Sequence, residues 1–232
     1  TVTGGYEATV TGGDLATRFP ERMLYGILPE SGTLELLGDR GWSDVELGVL
    51  ERQVERGVHV AWTSSAGRVL DAAAALLGIC RERTYDGEPA MRLEAAAFRG
   101  RPEPWPLAYR QSERCEILET RTILAEAFRR FQRTAGLTSA ERERTVADIA
   151  ASVQFNLARG IAALAIHASE QSGIETIVLS GGVAYNDAIR TTIAEELAGR
   201  GLTLAVHAEY PLGDGCISYG QCIHAALLHR EG

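Results

Sequence analysis

The sequence contains no lysine: all 23 of its basic residues are arginines. That absence excludes a phosphate-binding loop of the GxxxxGK[ST] type, whose lysine reaches the terminal phosphates, and it excludes Schiff-base chemistry. Long apolar runs are missing too. The longest, AAAALLGI at 72–79, falls well short of the roughly 20 residues a membrane span requires, so no transmembrane helix is expected. Cysteine is scarce and scattered. Cys80, Cys115, Cys216 and Cys222 form no C-x-x-C pair, which argues against a zinc or dithiol centre and for reduced thiols in a cytoplasm. Nor is there a basic excess. A net charge of -8 offers no clustered cationic face, so nucleic acid is not an expected partner. The opening TVTGGYEATVTGG lacks the basic-then-apolar order of a secretory signal, and its first residue, Thr1, suggests an excerpt of a longer protein.

What is present is ample apolar material. With 232 residues, 45% of them hydrophobic, the chain can bury one large core or two modest ones. Residues 1–20 alternate Thr, Val, Gly and Tyr with turn residues, which predicts an extended linker or the end of a preceding lobe, with Pro20 opening a helix. In 43–57, Ser43 followed by Glu46 is a capping-box signature. After Thr63, Ser64 and Ser65, residues 67–79 predict a helix packed on both sides, and TYDGEPAM at 84–91 a turn before another helix. RPEPWP at 101–106 reads as an extended connector, PLAYRQ as a short strand and 121–133 as a helix. From Ser139 to Ser172 the apolar period through Val146, Ile149, Val153, Leu157, Ile161 and Leu164 predicts one long helix. Then come ETIVLS (175–180), a buried-strand candidate, a helix starting at Asn186 and ending at Gly201, a second strand at 202–208 and a final helix. That order predicts a βαβ unit with parallel strands.

Three stretches carry candidate chemistry. In VLSGGVAYN (178–186), a strand running through Ser180, Gly181 and Gly182 toward a helix would present bare main-chain amides at the positive helix end, while Asn186 offers a donor and an acceptor. A tight turn without a ligand explains the same glycines. In YPLGDGCISYG (210–220), Asp214 lies in a loop at the carboxyl end of the second strand, where α/β sheets place ligands. There it could meet a metal or phosphate, or simply cap the last helix. In TSSAGRVLD (63–71), Ser64, Ser65 and Gly67 form a polar lip, and Asp71 needs a partner such as Arg68, a backbone group or a ligand hydroxyl.

Together these pieces resemble the hydrogenase maturation carbamoyltransferases, the HypF family. The matching stretches are GGDLATRFPERML (12–24), TSSAGRVLDAAAALLGI (63–79), TYDGEPAMRLEAAA (84–97), LSGGVAYN (179–186) and DGCISYGQ (214–221), in family order across almost the whole chain. The region resembled is the C-terminal part of the family's last domain, which is related to the tRNA threonylcarbamoyl-transfer enzymes. The resemblance implies an α/β lobe of the sugar kinase, actin and heat-shock chaperone (ASKHA) superfold with βαβ units and a helical insertion, here residues 21–232. It implies transfer of a carbamoyl group from carbamoyl-adenylate, made with ATP, to the C-terminal cysteine of a HypE-like partner.

Carried over by that resemblance, Gly181, Gly182 and Asn186 hold the adenine nucleotide, Gly67, Asp71 and Gly87 lie on its sugar side, and Asp214 is a ligand of a divalent metal (Mg, Zn or Fe). The family's H-x-x-x-H pair has no counterpart among His59, His167, His207, His224 and His229, so a tight metal site is not expected from Asp214 alone. Cys216 replaces the second glycine of the usual D-G-G, and Arg92 stands where related proteins carry a carboxylate. Two other readings are a noncatalytic module that docks a HypE-like partner and a sugar-kinase-like ATP-binding lobe.

Overall fold

A computed structural model describes residues 5–6, 8–11, 13–112 and 115–228, with side chains described from Gly13 onward. Strands β1 (Gly5–Tyr6) and β2 (Ala8–Thr11) lead into helix α1 (Asp14–Arg18), which stops at Phe19 because Pro20 follows. Pro20 is the first residue of α2 (Pro20–Ile27), where its missing N–H costs nothing. Helix α3 (Ser31–Asp39) and α4 (Asp44–Arg56) come next; α4 opens on the predicted capping box, Ser43 Oγ accepting from the Glu46 amide and the Glu46 carboxylate accepting from the Ser43 amide.

β3 (Val60–Thr63) pairs antiparallel with β2 and delivers the chain to α5 (Ala66–Leu76). Helix α5 is the centre of the molecule. Val69, Leu70 and every residue from Asp71 to Leu76 are buried, and its alanines let α2, α6 (Glu88–Ala97), α7 (Thr120–Gln132) and the long helix α8 (Ser139–Ser172) approach closely. Between α6 and α7, β5 (Glu116–Leu118) pairs antiparallel with β4 (Tyr109–Gln111) and parallel with β1. The extended 101–105 segment has no strand partner. Its amides go instead to a row of α8 side chains one turn apart: Asp148 accepts from Arg101 N, Ser152 from Glu103 N and Asn156 from Trp105 N.

By length and composition α8 could cross a membrane, with mean hydropathy 1.5 over its most apolar window, although polar residues interrupt its apolar runs. Its apolar side is spent on the core: 61% of that window is buried. A second, smaller cluster of Tyr25, Leu37 and Leu50 sits beside a charged one. There buried Glu21 accepts from Trp42 Nε1 (2.7 Å), Arg81 Nε (2.7 Å) and Arg40 Nη1 (3.4 Å), while Arg40 also donates to the α5 carbonyls of Ala75 and Leu76.

The C-terminal part is the expected βαβ unit: β6 (Thr176–Leu179) pairs parallel with β7 (Thr203–Val206), and α9 (Asp187–Ala198) crosses between them, burying Ile189, Ile193 and Leu197 against the main core. Helix α9 ends at Gly199, just short of the predicted Gly201. The predicted buried strand is not buried. β6 has no fully buried residue and Val178 is 68% exposed, because among the described strands β7 alone pairs with it. Helix α10 (Ile217–Leu228) also has no buried residue.

Candidate functional site

Three loops that the sequence singled out adjoin. The first turn of α5 touches the turn after β6: a Cβ placed on Gly67 would lie 3.8 Å from Val183 Cγ2. The loop after β7 lies against the same turn. Gly181 N donates to Leu212 O at 2.6 Å, and a Cβ on Gly213 would come within 3.7 Å of Gly182 Cα. Gly67, Gly181, Gly182 and the Gly213–Asp214 corner therefore form one group.

Each glycine is there for its own reason. Gly181 has φ +101°, a conformation that L side chains rarely adopt. At Gly182 the backbone is ordinary but the space in front is open: a Cβ there meets nothing within 4 Å. That bare, open main chain is what a nucleotide lying against the turn requires.

The helix-end part of the expectation needs correction. Residues Gly182–Tyr185 form a short 3-10 turn, and α9 starts only at Asp187. Its positive end is already occupied. Asn186 Oδ1 caps Ile189 N at 2.9 Å and the Glu94 carboxylate accepts from Asp187 N at 3.1 Å. Asn186 is 6% exposed, and its Nδ2 donates to Gln154 Oε1 at 2.7 Å. Gln154 in turn donates to Ala150 O within α8. The Asn186 amide thus braces the turn to the long helix. Gln154 escaped the sequence reading because a glutamine within an apolar-period helix carries no signal of its own.

Asp71 lies one turn beyond Gly67 on α5 and is 1% exposed. Arg68 Nη2 sits 3.1 Å from its Oδ2, an ion pair at an angle that leaves both carboxylate oxygens without a hydrogen-bond partner among the described residues. Burial raises its pKa to about 6, against the opposing pull of Arg68, then Arg83, and the nearby Ala90 main-chain amide, which is too poorly aligned to count as a full hydrogen bond. A buried carboxylate this short of donors, one turn beyond Gly67, is the kind of acceptor a ribose hydroxyl satisfies. Gly87, with φ +78°, turns the chain into α6. Behind it, Glu88 accepts from Thr84 N (2.6 Å) and Thr84 Oγ1 (2.8 Å) and pairs with Arg92 (2.8 Å), so Arg92 is engaged within its own helix.

Asp214 opens a 3-10 turn, is exposed, and makes no side-chain cap bond, so the helix-cap alternative is not what the structure displays. No group of three or more His, Cys, Asp or Glu side chains that could hold a metal occurs among the described residues. The described residues therefore do not by themselves fit a metal site: one exposed carboxylate is not a coordination shell. Two cavities lie elsewhere and touch none of these residues. One, of about 620 Å³, is lined by Phe19, Trp42, Val45 and Arg81 among others, and a second, of about 520 Å³, borders it at Leu15.

Comparison with known proteins identifies the fold and the family. The family model described as "Carbamoyltransferase, Kae1-like Domain, second subdomain" matches residues 5–221. A probable carbamoyltransferase HypF of Methanocaldococcus jannaschii is 35% identical over 230 residues, 95% of this chain and 28% of that protein. The carbamoyltransferase HypF of Rhodobacter capsulatus is 30% identical over 221 residues, 94% of this chain and 27% of that protein. The chain thus spans little more than a quarter of these relatives. The crystal structure of T. kodakarensis HypF superposes with a TM-score of 0.79 at 32% identity, covering 97% of this chain and 29% of that one. More distantly, a tRNA N6-adenosine threonylcarbamoyltransferase of Symbiobacterium thermophilum is 28% identical over 92% of this chain and 56% of its own length. The fold is that of the Kae1-like carbamoyltransferases, and the chain belongs to the HypF carbamoyltransferase family as the second subdomain of its Kae1-like domain.

Proposed function

We propose that this chain is the nucleotide-holding part of a carbamoyltransferase of hydrogenase maturation, acting on carbamoyl-adenylate and delivering the carbamoyl group to the C-terminal cysteine of a HypE-like protein in the cytoplasm. The observation that carries the reading is the meeting of Gly67, the open Gly181–Gly182 main chain and the Gly213–Asp214 corner. In the reaction the thiolate sulfur attacks the carbamoyl carbon, a C–S bond forms, the C–O bond to the adenylate phosphate breaks and AMP departs. This chain's contribution is to hold the departing half. Gly182 leaves room for it, Asp71 accepts from the sugar, and the ordered loops keep the acyl carbon where the incoming sulfur reaches it.

Titration calorimetry with AMP or ATP tests the reading. The folded chain is expected to bind, and Gly182→Arg, which fills the open space, is expected to abolish binding while leaving the melting temperature unchanged. No heat from a folded, unsubstituted chain overturns it. The docking alternative draws support from the exposed apolar row Ile217, Ile223, Leu227 and Leu228 on α10. Capture of a HypE-like protein, unaffected by Gly182→Arg and without nucleotide binding, selects that alternative.

A further inference from the structure

We propose that Tyr185 is the positioning residue of this site, a clasp that sets the loop carrying Asp214 against the Gly181–Gly182 main chain; the proposal rests on the nucleotide reading above. Tyr185 ends the 3-10 turn and is 54% exposed, so burial does not dictate where its ring goes. Hydrogen bonding does. Its hydroxyl oxygen accepts from Leu212 N at 2.8 Å and, more loosely, from Gly213 N at 3.4 Å. From the other side of the turn, Gly181 N donates to Leu212 O at 2.6 Å. Leu212 is thereby gripped through both its amide and its carbonyl, by residues on either side of Gly182. The ring completes the fit. Tyr185 Cε2 lies 3.3 Å from where a Cβ on Gly213 would sit, and Gly182 N and Cα lie 3.7 Å from the same point, so Gly213 is the residue that lets ring and loop close together.

Nothing else does this job among the described residues. The 3-10 turn at Asp214–Cys216 has no buried residue and α10 has none, so apolar packing does not fix the loop. Tyr210 and Tyr219 stack with ring centroids 4.5 Å apart and share a hydrogen bond of 2.9 Å, but that pair joins the loop only to its own following helix. Three hydrogen bonds from the Gly-Gly turn are what place Gly213, and therefore the start of Asp214, beside the open face of Gly182.

The experiment compares the unsubstituted chain with Tyr185→Phe and with Tyr210→Phe, reading amide hydrogen exchange at Leu212 and Gly213 without ligand and AMP affinity by calorimetry. Tyr185→Phe keeps the ring and removes the acceptor. It is expected to speed exchange at both amides and weaken AMP binding, each about tenfold, with no change in melting temperature. Tyr210→Phe is expected to leave AMP affinity as it is. Unchanged exchange in Tyr185→Phe overturns the clasp. Faster exchange with unchanged AMP affinity overturns its positioning role, and so does an equal loss of affinity in Tyr210→Phe. If the unsubstituted chain binds no AMP, the nucleotide reading falls and the positioning role falls with it, while the exchange rates still report whether the clasp forms.

Discussion

The helical block from α1 to α8 and the βαβ segment from β6 to α10 are stabilised by different means. The block surrounds α5, nearly all of whose residues are out of solvent, and its charged residues are locked into paired clusters such as Glu21 with Arg40 and Arg81. The βαβ segment buries only one face of α9, together with Ala184 and Asn186 in the turn before it. Its strands and last helix contribute no fully buried residue. Yet the segment carries Gly181, Gly182 and Asp214. The block supplies rigidity, and the site depends on a few directed hydrogen bonds: Asn186 to Gln154 ties the thinly packed segment to the block, and Tyr185 to the 212–213 main chain joins two loops within the segment. Thin packing leaves main chain open to a ligand, which a dense core does not.

Substitutions can break this contrast, and the largest effect belongs to the block. Glu21→Ala leaves Arg40 partly buried without its carboxylate and frees the Trp42 indole N–H, so it should cost about 4 kcal/mol in chemical denaturation. AMP affinity measured on the remaining folded fraction should not change. A parallel fall in affinity would show that block and site are not separable.

Next in size is the brace between the two regions. Gln154→Leu keeps the volume and helix-forming tendency but leaves the buried Asn186 amide without its acceptor, at a cost of about 2 kcal/mol. Unlike Glu21→Ala, it should also weaken AMP binding, because the turn behind Gly181–Gly182 loses its anchor. Unaltered affinity would remove the brace from the account.

A smaller effect comes from Asp71. Its pKa is about 6 in the folded chain against an ordinary 3.8, so between those values the folded state binds the extra proton. Stability from this group is complete below the lower value and is lost as pH rises through about 6. Denaturation midpoints should therefore report a gain of about 1.5 kcal/mol on going from about pH 7.5 to about pH 5, and Asp71→Asn should lack that increment. An identical pH profile in the variant would mean that Asp71 is not strained by burial. The smallest effect is in α10. Leu227→Gln should shift stability by less than about 0.5 kcal/mol, because Leu227 is already in solvent. A loss of more than about 2 kcal/mol would mean that α10 is packed.

The block was the more legible region. The period of α8 and the Ser43–Glu46 box are local patterns, and local patterns decide helices that have a full core to face. Residues 175–180 misled for the complementary reason. An apolar run states what a strand could bury but not what covers it, and here β7 is its sole described strand partner, while only Ile177 and Leu179 pack against the core. The glycine turn was legible as a bare backbone, and the helix start at Asn186 was legible as well, but the 3-10 turn between them was not, since a Gly-Gly pair does not say what the next few residues do. At the N-terminus the Gly- and Thr-rich composition pointed to an extended linker or the end of a preceding lobe; the pairing of β1 with β5 and of β2 with β3 joins strands about fifty residues apart or more, which no local pattern reveals. Tyr185 and Gln154 were invisible because their roles rest on partners 27 to 32 residues distant, beyond any spacing rule.

The most direct test of the central claim is photolabelling of the folded chain with 8-azido-AMP, competed by unmodified AMP, followed by mapping of the labelled peptides. Competable label in peptides spanning 178–186 and 210–216 is the predicted result. Competable label at the other surface cleft, in peptides containing Phe19, Trp42 or Arg81, with none on the two glycine loops, would contradict the account.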